Sequence, residues 1–200
     1  MPSSSPNQIS SIVEIILTTK PQSVLDIGVG FGKFGFLCRE YLELWDGRDK
    51  YDDWRCRIDG IEAFESYITP IHRQIYSNIY TGDALKVLPT LATYYDLILL
   101  IDVIEHFSID DGLRLLRHCS KRARGCIVST PLVVSAQKDA FGNPFETHRS
   151  QWTQENFSEF PEKIFFAAPQ SLLCYLRLDG IKLSPDGVDN TRGQSTVSLS

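Results

Sequence analysis

The run Val24-Leu25-Asp26-Ile27-Gly28-Val29-Gly30-Phe31-Gly32-Lys33-Phe34-Gly35 limits what this chain can fold into more than any other stretch. Residues 24–27 are apolar enough for a short strand, and glycines then fall at alternate positions. Residues without side chains let the backbone turn tightly and come close to a ligand. A helix opening near Gly32 presents unpaired N–H groups and the positive end of its dipole to that turn. Strand, glycine turn and helix together make the first βα crossing of an open parallel sheet with a nucleotide-type ligand site.

The remainder of the chain alternates in the same way. Ile9, Ile12, Val13 and Ile16 recur at helical spacing before Pro21, and Phe34, Leu37, Cys38, Tyr41 and Trp45 form a second helical stripe. Strands are expected at 57–62, 79–81, 96–101 and 126–129, with helices around 64–76, 83–88 and 110–119 between them. The unbroken apolar run Leu97-Ile98-Leu99-Leu100-Ile101 suits a central strand covered on both faces. Residues 163–167 and 171–177 are strand-like with no helix between them, so they pair antiparallel at one edge. The expected fold is α/β, Rossmann-like, with a mostly parallel sheet and helices on both faces. One domain at 9–178 lies between a flexible N-terminus, 1–8, and a flexible tail, 179–200, rich in Asp, Gly, Ser and Asn. The aromatic and charged loop 45–54 reads as a lid, an oligomer contact or local packing.

Composition narrows the function. A chain of 200 residues that is 42% hydrophobic fills one core. A formal net charge of −5 provides no broad basic surface, so nucleic acid is not an expected partner. The cluster Lys121-Arg122-Ala123-Arg124 reads as the basic complement of a helix C-terminus. Cys38, Cys56, Cys119, Cys126 and Cys174 form no C-x-x-C pair, which predicts reduced, buried thiols with neither a disulfide framework nor zinc. The first residues lack the features of a signal peptide and no run approaches a membrane span, so a cytoplasmic protein without a membrane partner is expected. Metal-ligand spacing is not evident, and no metal is expected.

The glycines admit several readings. Gly30-Phe31-Gly32-Lys33-Phe34-Gly35 satisfies G-x-G-x-x-G, the dinucleotide pattern of an NAD(P)-dependent oxidoreductase. Asp26-x-Gly28-x-Gly30-x-Gly32 is a second pattern, with a carboxylate before the first glycine, and a purely structural turn is a third. In an open sheet the ligand lies beyond the carboxyl ends of the strands. Those ends carry Asp26, Glu62, Asp83 and Asp102, which would repel a pyrophosphate and suit a cationic ligand rich in hydroxyl and amine donors. A Tyr-x-x-x-Lys pair, which a dehydrogenase of this fold would use, is lacking.

With these residues in place, positions 24–178 resemble the class I S-adenosylmethionine-dependent methyltransferases of the small-molecule, type 11/12-like group. The resemblance implies a seven-stranded sheet of order 3-2-1-4-5-7-6 with strand 7 antiparallel. It also implies S-adenosylmethionine as cofactor and in-line methyl transfer to a small-molecule acceptor. Asp26, Gly28, Gly30 and Gly32 would surround the methionine part, with Asp102 at the end of the fourth strand. Glu62 would take the ribose hydroxyls and Asp83 the adenine amine, and Ala63, Phe64 and Ala84 would flank the adenine. Asp102-Val103-Ile104-Glu105-His106 resembles the D-x-x-E-H form of the fourth-strand motif in metabolite methylators. The Asn- or Asp-Pro-Pro-aromatic motif of DNA and protein-amide methylators does not occur.

Two histidines are candidate catalytic residues. His106 is placed to act as a general base, since imidazole titrates near working pH, or to support the loop. His148, with Trp152 and Thr153 after it, either lines the acceptor pocket or packs a helix entrance, and Thr153 is a helix N-cap candidate. Arg149 either meets an acceptor carboxylate or is solvated. An S-adenosylmethionine-binding protein without transferase activity has the same pattern, and oligomeric state is not encoded in any feature found.

Overall fold

The computed structural model describes residues 4–44, 50 and 53–179. The tail from 180 onward and most of the 45–54 loop lie outside the described residues. Of that loop, Trp54 packs locally, with the Arg39 guanidinium 5.0 Å from its ring centroid.

Seven strands form one sheet: β1 (Ser23–Ile27), β2 (Arg57–Glu62), β3 (Asn78–Thr81), β4 (Tyr95–Ile101), β5 (Ala123–Pro131), β6 (Lys163–Phe166) and β7 (Ser171–Arg177). Their order is β3-β2-β1-β4-β5-β7-β6. The pairings are parallel except that β7 runs antiparallel to both β5 and β6. This is the expected topology. Among the described residues, α1 (Ile9–Thr19) precedes the sheet and four α-helices connect strands: α2 (Lys33–Glu43), α3 (Pro70–Ile75), α4 (Ala84–Val87) and α5 (Ile109–Ser120).

Strand alternation divides the core between two faces. Val24, Ile58, Leu97 and Leu99 pack with Ile12, Ile16, Phe34 and Ile75 of α1 to α3. Leu25, Ile61, Ile98 and Leu100 pack on the other face with Leu115, Leu116 and Cys119 of α5 and with Trp152 and Phe157. A strand buried on both sides must be apolar at every position, which explains the run at 97–101. The five cysteines are free and buried. No helix among the described residues is long and apolar enough to cross a membrane.

Two segments differ from expectation, and residues 4–8 make contacts of their own. The region 64–76 breaks into a 3-10 turn, Glu65–Tyr67, and the short α3, because Thr69 is extended ahead of Pro70, as steric conflict with a following proline requires. β5 runs for nine residues because it pairs with β4 on one side and β7 on the other. Residues 4–8, expected to be a flexible end, make specific contacts. Pro6–Gln8 is a 3-10 turn, Gln8 is buried, and its Nε2 donates to Asp102 Oδ2 at 2.8 Å.

Candidate functional site

The glycine turn needs backbone that side chains rarely adopt. Gly28, Gly30 and Gly32 have φ of 77°, 52° and 90°. A Cβ on Gly28 would lie 2.5 Å from Val103 Cγ2, so the turn packs directly on the loop after β4. His72, buried on α3, holds the turn from the side. Its Nδ1 accepts the Thr69 N–H at 3.0 Å, which leaves the proton on Nε2 to donate to the Gly30 carbonyl at 2.9 Å. The sequence reading missed His72, since its helix offered no motif.

The acidic strand ends divide in the folded structure. Glu62, Asp83 and Asp102 line a cavity of about 460 Å³ beyond the carboxyl ends of the strands, where the sheet order reverses between β1 and β4. Gly28, Gly30, Ala63 and Ala84 are also among its walls, whereas Asp26, Gly32 and Phe64 are not. The Asp26 carboxyl is buried beneath the turn and accepts the Tyr76 hydroxyl at 2.6 Å. Burial, with a contribution from Glu62, raises its pKa to about 7 against the pull of the Tyr76 bond. Gly35 makes room for that bond, because a Cβ there would lie 2.4 Å from Tyr76 Cζ. Gly32 instead caps α2, and the Phe64 ring turns onto Tyr67, with centroids 5.0 Å apart.

Each carboxylate facing the cavity is fixed by a backbone or side-chain donor. Glu62 accepts the Gly30 N–H at 3.1 Å and the Phe64 N–H at 2.9 Å, one on each oxygen. Burial still raises its pKa, and nearby Glu146 adds to the rise. Asp83 caps α4 by accepting the Leu85 N–H at 2.9 Å. Asp102 sits at φ 53°, an uncommon conformation for a residue with a side chain. The Ser129 hydroxyl holds it there, accepting its N–H at 3.2 Å and donating to its carboxylate at 3.0 Å. Ser4 lies over the same end of the cavity, its carbonyl accepting from Lys33 Nζ at 2.9 Å.

The far end of the cavity is built by residues 141–149 together with the loop after β4. Phe141, Phe145, Asn143, Glu146, Arg149 and His106 contribute there. Phe141 and Phe145 are 69% and 43% exposed, giving this mouth an apolar rim. Arg149 faces the cavity and makes no ion pair among the described residues. Trp152 is not a wall of the cavity. It is 1% exposed, packs on Phe157, and leaves no space for a side chain at Gly112. Thr153 caps the 3-10 turn Gln154–Phe157 through a reciprocal bond pattern with Asn156.

His106 and His148 are brought together with ring centroids 5.1 Å apart, although 42 positions separate them in sequence. Their Nδ1 atoms lie 3.3 Å from the Thr147 carbonyl and 2.7 Å from the Ser135 carbonyl. Burial lowers the His106 pKa, which favours the neutral ring. Glu105 joins the pair, and one ligand atom from each residue lies within 4.8 Å of the others. Burial pushes the Glu105 carboxyl up to about 8, and Asp102 reinforces the shift. Sequence spacing concealed this grouping because His148 arrives from a separate irregular segment.

No family model and no curated protein matches the chain. Solved structures do. A SAM-dependent methyltransferase from Archaeoglobus fulgidus is 16% identical over 86% of this chain and 94% of its own, with a TM-score of 0.60. The N-terminal domain of EvdMO1 with SAH bound is 12% identical over 88% of this chain and 82% of that domain, with a TM-score of 0.61. A candidate O-methyltransferase from Nostoc punctiforme PCC 73102 is 18% identical with a TM-score of 0.58. The match covers 85% of this chain and 55% of the Nostoc protein, so this chain spans about half that protein's length. Strand order, the reversed seventh strand and these likenesses agree that the chain has the Rossmann-like fold of the class I S-adenosylmethionine-dependent methyltransferases.

Proposed function

We propose that this protein is an S-adenosylmethionine-dependent methyltransferase acting on a small-molecule acceptor. The observation that carries this reading is the cavity at the β1/β4 switch point, where a glycine turn meets acceptor-only carboxylates at successive strand ends. A pyrophosphate would face Glu62, Asp83, Asp102 and Glu146 together, an unfavourable charge arrangement for NAD or NADP. S-adenosylmethionine offers a sulfonium, an ammonium, two ribose hydroxyls and an adenine amine, which are groups that carboxylates hold well.

In this reading Glu62 holds the ribose. Both of its oxygens are oriented by backbone N–H groups and retain lone pairs for hydroxyl donors. Asp83 takes the adenine amine between Ala63 and Ala84, and Gly28 and Gly30 border the methionine part beneath Asp102. Asp26 acts through Tyr76 and the turn above it. Phe141, Phe145 and Arg149 then receive the acceptor.

Bound S-adenosylmethionine supplies a methyl group on a sulfonium sulfur, which leaves as a neutral thioether when an acceptor lone pair takes the methyl carbon. The protein aligns the acceptor and excludes water, effects worth ~7–11 kcal/mol in favourable cases. For a hydroxyl acceptor the proton leaves toward the neutral His106 ring.

Thermal shift with S-adenosylmethionine, S-adenosylhomocysteine, NAD and NADP tests the cofactor. At a hundredfold Kd the S-adenosyl ligands should add about 2.7 kcal/mol and raise the midpoint by roughly 5–11 °C. A rise with NAD or NADP alone would overturn the reading.

A further inference from the structure

Glu105, His106 and His148 stand where two cavities meet. His106 lines both of them, and Glu105 and His148 line the second, a space of about 560 Å³ that also reaches Asp102 and Gln137. Glu105 is 1% exposed, and the buried Thr130 hydroxyl is its neighbour, but Oε2 makes no hydrogen bond of ordinary geometry. A buried carboxyl oxygen so weakly satisfied is costly, so a ligand that engages it is favoured.

The histidines provide the complement. A carbonyl only accepts, so the contacts of Nδ1 with Thr147 and Ser135 place the proton on Nδ1 in both rings. Each Nε2 is therefore left with a bare lone pair. Imidazole whose second nitrogen is bonded to a backbone carbonyl is the arrangement that orients a metal-binding histidine. One ring nitrogen of each histidine and one Glu105 carboxyl oxygen already lie within 4.8 Å of one another. Tetrahedral bonds of ~2.0–2.2 Å place ligand atoms about 3.3–3.6 Å apart, so closing on an ion asks the three side chains to draw together by no more than about 1.5 Å.

We propose that Glu105, His106 and His148 bind a first-row divalent cation, with open coordination positions facing the acceptor end of the cavity. Two imidazoles select ions such as Zn2+ or Co2+ over Mg2+ and Ca2+. The ion's role toward an acceptor rests on the methyl-transfer reading, whereas its binding does not. With the ion bound, an acceptor hydroxyl coordinated there is acidified and gives its proton to water, and His106 acts as a ligand; the transfer of the proton to His106 given above belongs to the ion-free site. An acceptor with two adjacent oxygens fits best, because it can occupy two open positions at once.

The test uses tag-free, chelator-treated, full-length protein titrated with Co2+ and followed by visible absorbance, with Zn2+ as competitor. The expected result is one Co2+ per chain, displaced by Zn2+ and not by Mg2+ or Ca2+. His148→Ala and Glu105→Gln should each weaken binding by more than about tenfold, while the thermal shift with S-adenosylhomocysteine persists. Glu105→Gln is nearly isosteric and carries the test if His148→Ala loses the fold. Absence of Co2+ uptake, or uptake unaltered in a folded variant, overturns the proposal. Ion uptake without S-adenosylhomocysteine binding would instead sink the methyltransferase reading and leave the metal site standing.

Discussion

The two ends of the main cavity are built in different ways. The end beneath β1, β2 and β3 consists of strand termini and tight turns, and its polar groups are bonded to backbone only a few residues away or on the neighbouring strand. Glu62, for example, is fixed by Gly30 and Phe64 N–H groups, and Asp83 by its own helix. The end beyond β4 and β5 consists of irregular chain at 132–153 held by isolated contacts. The Arg149 and Ser150 N–H groups share the Glu105 carbonyl, at 2.8 and 3.2 Å, and Gln137 Nε2 donates to the Glu146 carbonyl at 2.8 Å. The first end is a frame on which a constant ligand can rely. The second can vary at little cost to the sheet, as loops carried on a fixed scaffold do.

Three substitutions would break or sharpen this contrast. The largest effect is expected at Trp152, which anchors the irregular segment to the core. Trp152→Ala should cost about 3–5 kcal/mol and lower the melting midpoint by roughly 6–20 °C. S-adenosylhomocysteine affinity, measured by calorimetry below that midpoint, should stay within about twofold. A large loss of affinity would show that the two ends are one unit.

Glu62→Ala should weaken S-adenosylhomocysteine binding on the order of 10²-fold, because it removes both the ribose acceptor and the partner of the Gly30 and Phe64 N–H groups. Unchanged affinity would remove the ribose assignment.

Asp26→Asn gives the smallest and most selective effect. Burial raises this carboxyl's pKa to about 7, above the ordinary aspartate value of 3.8, so the folded protein holds this proton more tightly than the unfolded chain does. Its stabilisation is complete below the unfolded value and is lost as pH rises toward 7, at about 1.4 kcal/mol per pH unit. In urea unfolding at pH 5, 6 and 7, the variant's stability should fall less steeply by about that amount, and above pH 7 the two proteins should run parallel. Ligand affinity should not change, since the Asn amide oxygen still accepts the Tyr76 hydroxyl and keeps the turn in place. An identical slope in variant and parent would contradict the buried, protonated carboxyl.

The fold was legible because its determinants are local. The Gly28, Gly30 and Gly32 turn, the two-sided apolar run at 97–101 and the pair of strands at 163–177 each announce themselves within a few residues. Glu62, Asp83 and Asp102 were legible as cavity residues for the same reason, since a strand end in a parallel sheet has one destination. Asp26 shows the limit of that logic. It occupies a strand terminus too, yet alternation along β1 turns its side chain under the glycine turn, where Tyr76 awaits it. Trp152 shows the same limit, for its position in a motif did not reveal that it fills the space over Gly112.

Sequence alone determined the sheet, its glycine turn and the acidic rim, because hydrophobic period, backbone freedom and charge act over short stretches of chain. Tertiary structure alone decided which carboxyl is buried, which aromatics form the cavity mouth, and that Glu105 and His106 meet His148. Those outcomes depend on contacts between segments far apart in sequence, whose relative placement is fixed by the packing of the whole core.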